Sequence, residues 1–306
     1  MTLRLLLLFG VSLAWAASYL FIGQANSMPA ITATAAMTVI AAMVILPGVR
    51  YGLRRPLLPT LLQRPWAPMV MGVSAIALPN LTVVIAEHSV PPAVASLVGA
   101  TVPIATILLT TFVTREATFS GGRLLGILLA LGGLAAFLGV DTLFHHPAEM
   151  TGILIMMSGG LIFAVNGIFA ARQTRDLDAC ALAAWTILFG AIALCVAALI
   201  LEQPLATEFG GFLGPLLGEG IVGMGLAYLG YYLLVARAGA DFAALYAFLV
   251  PPLGVLVAVL FDGHQVGAQQ LLGMALLLAG LFLMVRRNAE APSMAVEAAG
   301  SPSRSS

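Results

Sequence analysis

Lysine is absent from this 306-residue chain, and charged residues of every kind make up only 8% of it. A soluble domain carries roughly a quarter charged residues, so this chain lacks the means to cover its own surface in water. Histidine is nearly as rare, with four copies, and His-Glu-x-x-His, a Ser–Lys dyad and paired acids at depth are all missing. Those are arrangements an intramembrane enzyme would need; catalysis has no support, and no metal or other cofactor is implied. A Walker A loop is missing too, which leaves no motif for ATP as an energy source. The two cysteines, Cys180 and Cys195, fall in one apolar run. On a helix they stand about 22 Å apart at roughly 1.5 Å per residue, too far for a disulfide, so they read as small packing residues.

What fills the chain instead is apolar. Hydrophobic residues make up 61%, and the mean hydropathy is +1.05. Hydrocarbon accepts such a surface if the backbone satisfies its own polar groups, which leaves helices or a closed barrel. A barrel would alternate with period two in short strips. Here the runs are long, about the 20 residues that span a bilayer core, and rich in Leu and Ala. The fold expected is an all-α membrane protein with ten transmembrane helices, near residues 5–23, 31–49, 67–87, 92–113, 122–141, 152–171, 179–200, 213–235, 241–261 and 267–285. Arg4, the run after it and Ala14-Trp15-Ala16 have the outline of a cleaved signal peptide. Nine later spans argue that this segment stays as the first helix. Residues 288–306, rich in Ala, Ser, Glu and Pro, read as a disordered cytoplasmic tail.

The chain also repeats itself. A shift of 148 residues aligns its halves without a gap over about a hundred positions. It places Ala35-Ala36-Met37-Thr38 on Ala183-Ala184-Trp185-Thr186, Trp15 on Phe163, Ser18 on Asn166, Gly72 on Gly220 and Pro103 on Pro251. With a one-residue slip, Gly126 and Gly133 match Gly273 and Gly280. Two units follow, residues 1–141 and 149–287. Each holds five spans, an odd number, so the second enters the membrane upside-down relative to the first, the recurrent design of secondary transporters.

Charge segregation tests that topology. With the N-terminus in the cytoplasm, all thirteen arginines, from Arg4 to Arg304, fall on the inner side, as do both termini. The outer loops hold acids and histidines: Glu87, His88, His145, His146, Glu149, Glu202, Glu208, Asp262 and His264.

Several stretches resemble a known family. Ala243-Ala244-Leu245-Tyr246-Ala247-Phe248-Leu249-Val250-Pro251-Pro252, with Gln270-Leu271-Leu272-Gly273 and Ala279-Gly280 downstream, is similar to the second domain of EamA-type exporters in the drug/metabolite transporter superfamily. Ser96, Pro103, Arg115-Glu116, Gly126 and Gly132-Gly133 resemble the first domain, and Trp15-Ala16-Ala17-Ser18-Tyr19 resembles its Trp-Gly-Ser pattern. Two departures stand out: Ala16 replaces the usual Gly, and His264 stands where a Gly-Glu pair is usual. The resemblance covers residues 1 to about 287. It implies export of amino acids or related metabolites across a bacterial inner membrane, through a cavity lined by spans 1, 3, 4, 6, 8 and 9.

Polar and aromatic groups within spans are costly against lipid and tend to face a cavity or another helix. At helical spacing Trp15, Ser18, Tyr19 and Ile22 share a face. Phe163 and Asn166 form the matching face on span six. Asn80 aligns with Tyr228, which has Tyr231 and Tyr232 beside it. Ser96, Ala100 and Pro103 form a stripe matched by Ala244, Phe248 and Pro251. The substrate-contact set is therefore Trp15, Ser18, Tyr19, Asn80, Ser96, Phe163, Asn166, Tyr228, Tyr232 and Phe248. An intramembrane Asn or Ser also serves as a plain interhelical hydrogen bond, and tyrosines near span ends serve as interfacial anchors.

Glu219 admits three readings: a carboxylate reaching the outer interface, a proton-coupling group, or a partner for a substrate amine. On an ideal helix, nine residues put it on the face opposite Tyr228, although Gly218, Gly220, Gly223 and Gly225 could distort that count. Glu87 beside His88 is either an outer-mouth residue or part of a proton relay.

The glycine pairs at 126/133 and 273/280 permit close helix contact. Spans five and ten are expected to pack against each other or against a second protomer, a homodimer being the one protein partner the sequence suggests. A secondary transporter fits best. A passive channel or a non-transporting receptor or scaffold is the alternative, without a polar ring or filter motif to support it. The partners implied are a small-molecule substrate and the lipid bilayer, with no nucleic acid.

Overall fold

The computed structural model describes residues 2–109, 112, 121–173, 176–204, 208–238, 245–263 and 265–286, and every regular element among them is helical. The expected tail at 288–306, Arg115-Glu116, Ala243-Ala244 and His264 lie outside these residues. Six segments are long and apolar enough to cross a membrane: Leu3–Gln24, Ala30–Gly52, Trp66–Ala86, Pro147–Ala170, Ala179–Leu201 and Gly210–Leu234. Four shorter apolar helices accompany them, Pro92–Thr106, Leu124–Gly139, Phe248–Phe261 and Ala268–Leu283. Their outer faces are those of a chain dissolved in lipid: Leu199, Ile200, Leu260 and Phe261 are 62–74% exposed.

The chain begins with α1 (Thr2–Gln24) and α2 (Ala30–Pro47). After the short α3 (Leu58–Gln63), the third rod is composite: α4 (Trp66–Met71), a π-helical turn at Gly72–Ala77, then α5 (Leu78–Ala86). The next is broken into α6 (Pro92–Gly99) and α7 (Val102–Leu108). Pro103 explains the break, since its ring removes one donor and crowds the carbonyl four residues back. The chain tightens there, Ala100 and Thr101 donating to the carbonyls of Leu97 and Val98 at 3.1 and 2.9 Å. Then come α8 (Gly121–His145), α9 (Pro147–Gln173) and α10 (Ala179–Leu201). A second composite rod joins α11 (Leu213–Gly218), a π-helical stretch at Glu219–Leu226 and α12 (Ala227–Ala238), followed by α13 (Tyr246–Phe261) and α14 (Ala268–Arg286). The 148-residue shift carries the first intramembrane π turn onto 220–225, inside the second, so both composite rods depart from α geometry at the same place. Such turns concentrate at functional sites.

The most extensive helix contact is between α8 and α14. Glycine makes it close: a Cβ on Gly133 would lie 2.6 Å from the Gly273 carbonyl oxygen, and one on Gly273 would lie 2.7 Å from that of Gly133. Gly280 abuts Gly126 and Ala130 in the same way. The two glycine pairs therefore face each other within one chain. At Gly139 (φ 82°, ψ 159°) α8 leaves helical geometry, and the side-chain amide of Gln269 donates to the Ala136 carbonyl at 2.9 Å.

Elsewhere the halves interlock. α2 packs on α10, α1 on α12 and α13, and α5 on α9. Gly72 sits against Gly190, and Gly220 against Ile40 and Met37. Glu202, just past α10, accepts from the Ile31 and Thr32 amides (3.1 and 2.7 Å) and the Thr32 hydroxyl (2.7 Å). It thereby satisfies otherwise orphaned donors at the α2 N-terminus and complements its dipole. At the opposite ends of these helices Asp178 caps α10 through the Ala181 amide (2.9 Å) and meets Arg55 at 3.4 Å, while Asp176 pairs with Arg64 at 3.1 Å. Buried threonines return their protons to their own helix, Thr34 to Ala30 and Thr38 to Thr34, both at 2.6 Å.

Candidate functional site

A cavity of about 140 Å³ lies among α1, α5, the α6–α7 break, α9, α12 and α13. Each wall follows from local sequence. α1 presents Trp15, Ser18, Tyr19 and Ile22, one face at helical spacing. α5 contributes Pro79, Asn80 and Val83; α9 adds Met156, Gly159, Gly160 and Phe163. Gly99, Ala100 and Val102 come from the α6–α7 break, where the chain is no longer shielded by continuous helix. Tyr228 comes from α12, and Tyr246, Val250 and Pro251 from α13.

Aromatic rings gather around Trp15. Its centroid is 4.6 Å from Tyr246, 5.3 Å from Tyr231 and 5.7 Å from Tyr228, and the Tyr246 and Tyr228 pairs are edge-on. Such a cluster offers apolar area, ring faces for a cation and hydroxyls for hydrogen bonding. Asn80 donates to the Ile76 carbonyl at 2.8 Å, and both it and Tyr228 line the cavity. These two residues occupy the same position in the two halves.

Away from the aromatic cluster the character changes. Ser18 donates from Oγ to Glu219 Oε2 at 2.6 Å, and Glu219 is buried, 1% exposed. The π-helical stretch explains why Glu219 and Tyr228 both turn toward α1, although α-helical counting sets them on opposite faces. Gly223 makes room, since a Cβ there would fall on the Glu219 carboxyl group. Glu87, at the end of α5, is also buried at 4% exposure, and neither of its oxygens has a hydrogen-bond partner. Its Oε2 lies 3.1 Å from where a Cβ on Gly23 would be, one residue past the cavity-lining Ile22.

Of the ten substrate-contact candidates, the structure brings Trp15, Ser18, Tyr19, Asn80, Phe163 and Tyr228 to the cavity wall. The other four sit elsewhere. Ser96 is fully buried between α6 and α13 against Gly254 and donates to the Ala93 carbonyl at 2.8 Å. Phe248 packs on the core formed around α6, α8 and α9, and Tyr232 on the core formed around α2 and α10. Asn166 lies 3.0 Å from the Ser74 hydroxyl, which also reaches the Val70 carbonyl at 2.9 Å. Sequence reading missed Gly99, whose missing side chain leaves room for the Tyr19 hydroxyl, and the small floor of Gly159 and Gly160. Among the described residues, no group of three His, Cys, Asp or Glu side chains could hold a metal ion.

The profile of the EamA-like transporter family matches residues 2–139 and 150–286. The inner membrane transporter YedA of Escherichia coli K12 is 25% identical over 290 residues, which cover 90% of this chain and 89% of that one. YoaV of Bacillus subtilis 168 is 23% identical over 162 residues, 53% of this chain and 56% of YoaV, so that match spans just over half of the relative. Both are described as uncharacterized transporters. One solved crystal structure superimposes with a TM-score of 0.68 at 20% identity, covering 95% of this chain and 99% of that one, a likeness of fold.

Proposed function

From the premise that this chain belongs to the EamA-like transporter family, we propose that it is a secondary transporter that exports small metabolites such as amino acids across the inner membrane by alternating access. One observation carries the reading. The cavity lies where the halves meet, and repeat mates Asn80 and Tyr228 both line it. Residues related by a two-fold axis face one cavity only where that cavity straddles the axis, and transporters of inverted design hold substrate at the repeat interface.

In this reading the four shorter apolar helices also cross, giving ten spans in two inverted five-helix units with both termini cytoplasmic. The reciprocal contact of Gly133 with Gly273 supports the pseudo-symmetry. The Arg55–Asp178 and Arg64–Asp176 pairs then tie the halves at the cytoplasmic face, and the Glu202 cap ties them at the outer face. Opening either side means parting one set while keeping the other. Substrate enters from the cytoplasm, contacts Trp15, Asn80 and Tyr228, and leaves when the halves rock.

Counterflow in proteoliposomes tests this. With a panel of labelled metabolites outside, uptake of the true substrate rises when the same unlabelled compound is loaded inside. A channel gives no such acceleration, and its absence for every compound would overturn the carrier reading.

A further inference from the structure

We propose that the cleft between the 50–59 segment and α10 holds one anionic glycerophospholipid of the cytoplasmic leaflet, its phosphate on Arg50 and Arg54 and an acyl chain against Trp185. This goes beyond the transport reading and takes from it only that this end of the molecule faces the cytoplasm.

Charge is unbalanced at this end. Residues 50–64 carry four arginines, Arg50, Arg54, Arg55 and Arg64. Two are matched by acids of the second half, Arg55 by Asp178 at 3.4 Å and Arg64 by Asp176 at 3.1 Å. Among the described residues no acid pairs with Arg50 or Arg54, and both are exposed. The Arg50 guanidinium stands over the Tyr51 ring instead, 5.8 Å from its centroid. A guanidinium stacked on a ring still presents its planar fork of donors to a phosphate.

The backbone builds a site around these two side chains. Arg54 has a left-handed conformation, φ 53°, and is the one non-glycine residue with positive φ among those described. Hydrogen bonds fasten both sides of it: the Leu53 amide donates to the Gly48 carbonyl at 2.9 Å and the Arg55 amide to that of Val49 at 3.0 Å. Such a conformation persists where the surrounding structure over-determines it, and ligand clamps are where it gathers. From α10 the Trp185 indole donates to the Leu57 carbonyl at 2.9 Å and anchors the segment. The cleft so formed is lined by Arg50, Pro56, Leu57, Leu58, Pro59 and Trp185, apolar apart from the one guanidinium.

Exposure identifies the occupant. Tyr51 is 75% exposed, Leu58 59% and Leu62 71%, on the same stretch of chain as the exposed arginines. Apolar and cationic groups are stable side by side at the boundary between headgroups and hydrocarbon. A soluble anion would leave the leucines in water, and a zwitterionic lipid would bring no net charge to the arginines. An anionic phospholipid answers both needs. Depth agrees: Trp185 is the seventh residue of α10, about 9 Å from its start at roughly 1.5 Å per residue, the level of the upper acyl chains.

Trp185 is also the reporter for the test. With Trp15 and Trp66 replaced by phenylalanine it is the one indole left in the full chain. This parent is reconstituted in phosphatidylcholine vesicles, and its fluorescence is followed as brominated phosphatidylglycerol or brominated phosphatidylcholine replaces the host lipid. The expected result is half-maximal quenching by phosphatidylglycerol at a mole fraction at least about tenfold lower. Arg50→Gln with Arg54→Gln brings the two curves together. Arg4→Gln, which removes a charge outside the cleft, leaves them apart, and excess soluble glycerol phosphate does not reverse the quenching. If the double variant does not fold, the parent and Arg4→Gln still decide. Coincident curves in the parent, separate curves in the double variant, curves merged by Arg4→Gln, or reversal by glycerol phosphate would each overturn the proposal. Transport is not read in this assay, so counterflow succeeds or fails independently of it.

Discussion

Gly133→Leu is expected to remove most of the folded protein from the membrane fraction. The Gly133 Cα side lies against the α14 backbone, with the Gly273 carbonyl oxygen 2.6 Å from where a Cβ would begin. Nothing at that distance is a flexible side-chain tip; the obstacle is backbone, and the helices must separate. Overpacking a well-fitted interface costs about 1–3 kcal/mol even when side chains can adjust, and here they cannot. Between apolar helices in lipid, close packing is the main force available, so separation removes the reason for association as well. The neighbouring Gly132→Leu is the control, because nothing lies within 4 Å of its Cβ position. Detergent-solubilised yield and thermal stability by size exclusion should fall sharply for the first and little for the second. Equal behaviour would mean that the α8–α14 contact does not hold this fold together.

Trp15→Ala is expected to lower transport at least about tenfold while leaving the amount of folded protein near normal. The indole is the hub of the aromatic cluster, with three tyrosine rings within 5.7 Å, and it lies on the cavity wall. Removing it deletes apolar contact and a ring face, and a desolvated cation–π contact alone is worth about 2 kcal/mol, more than the 1.4 kcal/mol of a tenfold change. Phe282→Ala, which trims a lipid-facing ring 55% exposed, serves as the comparison. Initial rates of counterflow for the two variants, normalised to folded protein, make the measurement. Unchanged flux in Trp15→Ala would take the aromatic cluster out of the substrate path.

How far these features could be read beforehand depended on which periodicity governed each segment. Helical spans follow directly from long Leu- and Ala-rich runs, and a continuous 3.6-residue count works where the helix is continuous. On α1 it put Trp15, Ser18, Tyr19 and Ile22 together, and all four line the cavity. The same count fails across the α6–α7 break. Ala100 reaches the cavity while Ser96, four residues earlier, points between α6 and α13, because the tightened turn at Ala100–Thr101 resets the phase. The π-helical stretch at Glu219–Leu226 does the same for Glu219. Its cluster of glycines was the warning in the sequence, but composition gives no rule for how many turns will widen. Gly99, Gly159 and Gly160 were hidden for another reason: a glycine's role as empty space is defined by what fills it, and Tyr19 approaches Gly99 from a distant helix.

Repeat symmetry was the most legible signal and the one on which the carrier mechanism depends. A shift of 148 residues pairs Asn80 with Tyr228, and both side chains line the cavity; a near-equal shift pairs the glycines of α8 with those of α14, and these backbones meet. The acids break the symmetry. Val235 stands at the repeat mate of Glu87, and Met71 at that of Glu219.

The most direct measurement of the central claim is sidedness. With Cys180 and Cys195 replaced by alanine, single cysteines at Arg54 and at His146, both exposed, are challenged in intact cells with a membrane-impermeant maleimide. Opposed five-span units place the first in the cytoplasm and the second outside, so only the His146 position should label before the cells are broken, and the Arg54 position only afterwards. Labelling of both from one compartment would contradict the inverted arrangement and the rocking mechanism built on it.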